Sequence, residues 1–442
     1  MQHSYEALDR TGGLSRVRLL APLRDRDFRL LWTGMSVSLL GDGIFIVALA
    51  WQVYALSNLP SALSIVGIAM TVPTILFLLL GGVISDRFER RRVMLAADTT
   101  RAVAVGTIAA LSLAGVLRLW HIVVLAAIYS VGTAFFAPAS DAIVPEILPE
   151  EMLAQANALD QFMRPIALRL AGPALGGLLI ATFGAGLPFA LDAGSFAVSA
   201  TALLAMTRRP RRTGAASSSV GREVRAGFSY VRHHAWLWAT LGSAAIAYLL
   251  FMGPTEVLVP FLVKNGLHGS AADLGLVFAA GGVGSLACAV TVGQRGLPKR
   301  EITWMYVFWT LATFAIAGYG VARAVWGLML ASFAFNSFET IGTIIWSTAK
   351  QRHVPAALLG RVSSLDWLIS IGLMPLSFAL TAPISAAIGA ANTLIYAGVI
   401  GGVVTLAALF VPGVRAIERR DDDQPPESRV RRLGQAEASV TP

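Results

Sequence analysis

The chain has 442 residues, of which 55% are hydrophobic and 14% charged, with a formal net charge of +9. That balance excludes an ordinary soluble domain, which carries about 25% charged residues. Cys288 is the single cysteine, so an internal disulfide, a Cys-based metal site and dithiol redox chemistry are excluded as well.

Residues 1–29 form a polar tail with Arg16, Arg18, Arg24, Arg26 and Arg29, and no cleavable signal peptide is expected in front of the first apolar run. Apolar runs long enough to cross a bilayer then recur at 30–55, 61–85, 93–116, 120–142, 153–182, 187–207, 237–263, 271–293, 301–321, 324–349, 359–387 and 391–412. Lys and Arg gather in alternate connections: Arg87, Arg90, Arg91 and Arg92, then Arg295, Lys299 and Arg300, then Lys350, Arg352 and Arg361. The intervening turns carry at most one, so both termini are expected in the cytoplasm. The connection with Glu146, Glu150 and Glu151 has no Lys or Arg and dissents. This charge pattern accounts for the basic balance better than nucleic-acid binding does.

The longest interior break, 208–236, joins an Arg-rich and Ser-rich linker to a stretch that mixes Arg225, Arg232, His233 and His234 with Phe228, Tyr230 and Trp236. It is expected to end as an amphipathic helix on the inner membrane surface. The expected organisation is a tail (1–29), a six-helix bundle (30–207), the linker (208–236), a second six-helix bundle (237–412) and a disordered tail (413–442). A repeat supports it. A shift of about 210 residues lays Gly132-Thr133 on Gly342-Thr343, Val144-Pro145 on Val354-Pro355, Pro165 on Pro375 and Pro173 on Pro383. Prolines in register place backbone breaks at equivalent points.

The loop between the second and third spans reads Gly82-x-x-x-Asp86-Arg87-x-x-Arg90-Arg91, with Arg92 and then Asp98 beyond. This spacing resembles the corresponding loop of the major facilitator superfamily, with Glu89 where the family usually has Gly. The resemblance implies an all-α membrane protein of twelve helices in two pseudo-symmetric bundles, with a substrate site between them. It also implies a cytoplasmic gate built on Gly82, Asp86, Arg87, Arg90, Arg91 and Asp98. In the fifth span, Gly172-Pro173-Ala174-Leu175-Gly176-Gly177 is similar to the antiporter motif of drug exporters, although Leu168 stands where that motif has a further Gly. A small-residue packing face is the ordinary alternative. Leu40-Gly41-Asp42-Gly43, the segment 135–146, Ala156-Asn157-Ala158-Leu159 and Gly227-Phe228-Ser229-Tyr230 resemble bacterial exporters of the enterobactin and macrolide efflux branch.

Charges inside spans are costly and are candidates for function. Asp42 and Glu339 lie nearest mid-depth, Glu256 and Asp192 nearer the outer side, and Asp160 and Arg164 sit four apart where they can pair, with Arg169 beyond. Asp42, Glu339, Glu256, Asp192 and Arg164 are therefore the candidate coupling residues. Structural hydrogen bonding between helices is the competing role. The Arg usual in the family's fourth helix is absent from Ile128-Tyr129-Ser130-Val131-Gly132-Thr133. Trp51, Phe251, Trp309, Phe335 and Trp346 could line a midplane site.

No phosphate-binding loop and no Gly-x-Ser-x-Gly turn is present, so the chain does not read as an ATPase or hydrolase. The expected protein is no enzyme and needs no cofactor or metal. It is a monomeric secondary transporter of the bacterial inner membrane that exports a small amphipathic molecule by proton antiport. The expected partners are substrate, protons and lipid, with no nucleic acid. An importer of a polar nutrient is one alternative. A membrane sensor or lipid-processing protein is the other, and no catalytic constellation supports it.

Overall fold

The structure, a computed structural model, describes residues 18–207 and 228–418, apart from the surroundings of Gly82 and Gly360 and the side chains of Leu79, Val83, Asp86, Glu150, Ala154, Ala356, Ala357, Arg361, Ser364 and Ile371. Twelve spans are present among these residues. They are α1 (Arg26–Leu56), α2 (Pro60–Arg87), α3 (Arg90–Leu113), α4 (Leu119–Ile147), α5 (Glu150–Pro165, Ile166–Ala171 and Gly172–Phe183) and α6 (Gly186–Ala205). The second set is α7 (Ala235–Phe261, prolonged by Leu262–Gly266), α8 (Ala271–Arg295), α9 (Glu301–Val321), α10 (Val325–His353), α11 (Ala356–Gly372 and Met374–Ile388) and α12 (Ala390–Ala408). Such lengths follow from lipid, where a spanning backbone must bond to itself.

The sequence places the helix ends to within a few residues, and local chemistry explains the differences. α1 starts at Arg26 rather than 30 because Asp25 caps it, accepting from the Phe28 N–H at 2.9 Å. α7 starts at Ala235, so Trp236 is a core residue packed edge-on against Trp346, with ring centroids 5.7 Å apart, rather than part of a surface helix. Of the expected interfacial helix only 228–232 is described and helical; the rest of 208–227 lies outside the described residues. The expected disordered tail does not begin at 413. Val414 is buried, and Glu418 accepts from the Thr303 N–H at 2.6 Å, satisfying a donor at the start of α9. Beyond 418 the tail lies outside the described residues.

The repeat in sequence is a repeat in backbone. Span α5 is interrupted by a π-helical turn directly after Pro165, and α11 is interrupted at Leu373 just before Pro375. Each proline lacks the N–H that would continue the ladder. The α5–α6 and α11–α12 turns each use a glycine at positive φ, Gly184 at 75° and Gly389 at 86°. Gly132 and Gly342 are equivalent too: a Cβ on Gly132 would meet the Arg101 side chain of α3 at 2.8 Å, and one on Gly342 the Trp309 ring of α9 at 2.5 Å.

The ends at which α1 begins and α12 finishes share one side of the bundle, here called the terminal end. At the opposite, far end the halves are joined. Tyr54 Oη donates to the Val257 carbonyl at 2.7 Å, and Lys264 Nζ donates to the Tyr54 carbonyl near the C-terminus of α1.

Candidate functional site

Between the halves lies a cavity of about 950 Å³, lined by α1, α2 and α5 from one half and by α7, α9, α10, α11 and others from the second. Its walls run from Lys350 and Asp366 toward the terminal end to Glu256 and Tyr319 toward the far end. Most of the lining is apolar, which suits a ligand that is itself largely apolar. Phe251, Trp309, Phe335 and Trp346 line it, as their positions allowed; Trp51 does not, and its ring lies 5.6 Å from Lys264 Nζ instead.

Five charged residues line the cavity: Arg169, Glu339, Glu256, Lys350 and Asp366. Arg169, on the π-helical turn of α5, reaches from one half to the other. Its Nη1 is 3.6 Å from Glu339 Oε2 and donates to Asn336 Oδ1 at 3.4 Å and Ser285 Oγ at 3.5 Å. Glu339 also accepts from Thr343 Oγ1 at 2.9 Å. Glu256 is an exposed carboxylate on the wall with no ion pair among the described residues. Deeper toward the terminal end, Lys350 pairs with Asp366, whose Oδ2 also accepts from Trp346 Nε1 at 2.9 Å. Glu339 and Glu256, candidates by their depth in the spans, both line this cavity. Arg169 is not among the candidates that the sequence offers, nor is Lys350, which counts as one more loop charge until α10 proves to continue to His353.

The remaining candidates lie elsewhere. Asp42 accepts from Tyr129 Oη at 2.7 Å, and Asp192 is fully buried in α6; neither lines the cavity. Asp192 lies in the second turn of α6 from the far end, as its sequence position places it, with its side chain turned into the bundle. Arg164 pairs with Asp160 one turn back, at 3.4 Å, as the four-residue spacing allows.

The charged loop after α2 acts as a tie. Arg90 binds the Ala142 carbonyl and Glu146, the latter at 2.9 Å. That contact accounts for the acidic connection after α4. Arg91 donates to the Leu203 and Leu204 carbonyls at 2.5 and 2.7 Å, capping the C-terminus of α6 with a cation. Arg87 is exposed at the end of α2; Gly82 and Asp86 lie in its last turns, and the Asp86 side chain is outside the described residues. Asp98 makes no ion pair with the loop arginines among the described residues. It is buried on α3 and paired with Arg101 of the same helix, because three residues of helix bring the two onto one face.

The glycines of α5 divide between two contacts. Gly172 and Gly176 face α1: a Cβ on Gly172 would lie 2.6 Å from Gly43 Cα, and one on Gly176 3.1 Å from Ile44 Cα. Gly177 faces the other half, where a Cβ would lie 3.0 Å from Gly275 Cα of α8. The Pro173 carbonyl meets Gly275 from the same side, so this segment forms both a packing face within one half and a contact between halves.

A family model described as transmembrane secretion effector matches residues 17–433. The chain is 24% identical over 407 residues to macrolide efflux protein A of Streptococcus pyogenes, covering 89% of this chain and 97% of that one. It is 29% identical over 353 residues to the enterobactin exporter EntS of Citrobacter koseri, covering 76% and 80%. The fold is that of the crystal structure of the nucleoside transporter NupG, with a TM-score of 0.68 over 87% of this chain and 99% of that one, at 12% identity.

Proposed function

We propose that this chain, which belongs to the transmembrane secretion effector family of the major facilitator superfamily, exports a small amphipathic molecule across the bacterial inner membrane, driven by the proton gradient. That it is a multi-pass membrane transporter follows from its family and its twelve spans. Direction, substrate and coupling are the proposal. Support for export comes from the names of its relatives, macrolide efflux protein A and enterobactin exporter. The charge distribution of its loops supports a cytoplasmic terminal end. With that orientation, a cavity closed at the far end is the inward-facing state.

The observation that carries the reading is Arg169, which crosses from α5 to Glu339 and Asn336 of the other half in the cavity wall. A contact between halves at a midplane site must change when the halves rock, so it differs between the two facing states. Substrate seated against Phe251 and Phe335, with its polar group on Glu339 or Glu256, would compete with Arg169 for the same carboxylate. That competition would link occupancy to rocking.

The test is drug and siderophore efflux in a strain lacking its own exporters, comparing the wild-type chain with Arg169→Gln. The expected result is accumulation lowered by the wild type and not by the variant at equal membrane abundance. Uptake of a polar nutrient in right-side-out vesicles, with no efflux of any probe, would overturn the reading.

A further inference from the structure

We propose that the N-terminal half holds a proton-binding site of its own, apart from the cavity, made by Asp42 of α1, Asp192 of α6, and Asp98 and Arg101 of α3. Its role in coupling rests on the export reading above; its existence does not. Asp98 and Asp192 are fully buried and Arg101 is 3% exposed. Among the described residues, Asp98 Oδ2 and Asp192 Oδ2 have no hydrogen-bond partner, while their Oδ1 atoms meet Arg101 and Ser195. The guanidinium of Arg101 is held between the rings of Phe136 and Phe196, 4.3 and 4.5 Å from their centroids, and acts electrostatically on Asp42 and Asp192 as well as on Asp98. The Asp192 side chain is accommodated against α1 only because residue 41 is glycine: a Cβ there would come within 2.5 Å of Asp192 Oδ1.

The charge count points to the ligand. Three carboxylates share one guanidinium, and Arg101 is the cation supplied by α3 where the fourth helix has none. From the other elements, Tyr129 of α4 donates to Asp42, and Arg164 of α5 acts on Asp42 from a partly exposed position where solvent weakens it. Three ionised carboxylates on one guanidinium would leave net negative charge away from water, which is expensive. A proton removes one such charge without a shell of ligands. A metal ion would need several oxygens and would be repelled by Arg101 at the centre of the group.

A continuous contact joins this site to the cavity. Tyr129 holds Asp42 through its hydroxyl, and its ring stacks on Phe45 at 5.0 Å; Phe45 lines the cavity. A substrate that moves Phe45 thus acts on the hydroxyl that holds Asp42. Proton and substrate occupy different places and meet through one packed pair of rings.

The test begins without substrate. Infrared spectra of the purified protein in lipid, titrated with pH, should show a band from protonated carboxyl groups. Asp192→Asn and Asp42→Asn should each remove part of it, while Glu339→Gln and Glu256→Gln leave that part in place. In proteoliposomes, Asp42→Asn should lose most pH-gradient-driven accumulation of a probe such as erythromycin and keep some downhill exchange. Absence of the band in the wild type overturns the proposal, as does a band lost only with Glu339 or Glu256. So does unimpaired pH-driven accumulation by both aspartate variants. If Asp192→Asn does not fold, the wild-type spectrum and Asp42→Asn still decide. A wild type that shows the band but moves no probe refutes the export reading and leaves the site standing.

Discussion

Two arginines show how place decides what a charge is worth. Arg101 and Asp98 form a buried pair, 4% and 0% exposed. Removing one partner of such a pair costs about 3–5 kcal/mol because the other is left uncompensated. Arg101→Ala is therefore expected to lose folded protein, seen as reduced membrane abundance and a lower melting temperature in detergent. Arg169 is 49% exposed and 3.6 Å from Glu339. A pair of that kind contributes about 0–1 kcal/mol to stability. Arg169→Ala should keep its melting temperature while efflux falls. Arg169→Glu and Glu339→Arg should each be inactive and the double variant partly restored; an inactive double variant with normal folding would show that position, not pairing, matters.

At the scale of elements, α5 separates two functions that its sequence runs together. Gly176 packs on α1 inside one half, and Gly177 packs on α8 of the other half. Overfilling a close contact costs about 1–3 kcal/mol or more. In Gly176→Leu that cost falls on the folded half, so the variant should express poorly. In Gly177→Leu it falls on the contact between halves. The protein should fold and favour whichever state parts α5 from α8, and transport should fall. Thermal melting with cysteine labelling from each side separates the two outcomes. Equal loss of folding in both would mean that the halves are not independent at this contact.

For the whole molecule, closure of the far end combines the packing of α5 on α8 with two hydrogen bonds between halves among the described residues, from Tyr54 to the Val257 carbonyl and from Lys264 to the Tyr54 carbonyl. A lysine on the last carbonyls of a helix is favoured by the helix dipole, by about 0.3–1 kcal/mol. Lys264→Met should shift the balance of facing states toward an open far end, by a few-fold in population. Cys288→Ser gives a background without cysteine. A cysteine replacing Leu63, which lines the cavity, should then react faster with a membrane-impermeant maleimide added from the far side. An unchanged labelling rate would remove Lys264 from the closure.

Lipid imposes its constraints locally, and those are the ones legible in the chain before it folds. A span must be apolar, about 20 residues long and bonded within itself, so length and composition reveal it without knowledge of its neighbours. Paired prolines likewise mark equivalent breaks, because a missing N–H acts on its own helix. Arg164 with Asp160 was legible for the same reason, being one turn apart. Tertiary structure alone decided which charges share a place. Asp42 meets Tyr129 from 87 residues away, and Arg169 meets Asn336 from 167 away. Those meetings depend on how each helix is rotated and which neighbour it packs against, and that is fixed by close contacts such as Gly41 on Asp192 and Gly177 on Gly275. Depth along a span could be counted from its sequence; whether a carboxylate at that depth faces the cavity, as Glu339 does, or the inside of one half, as Asp42 does, is a property of the packed bundle.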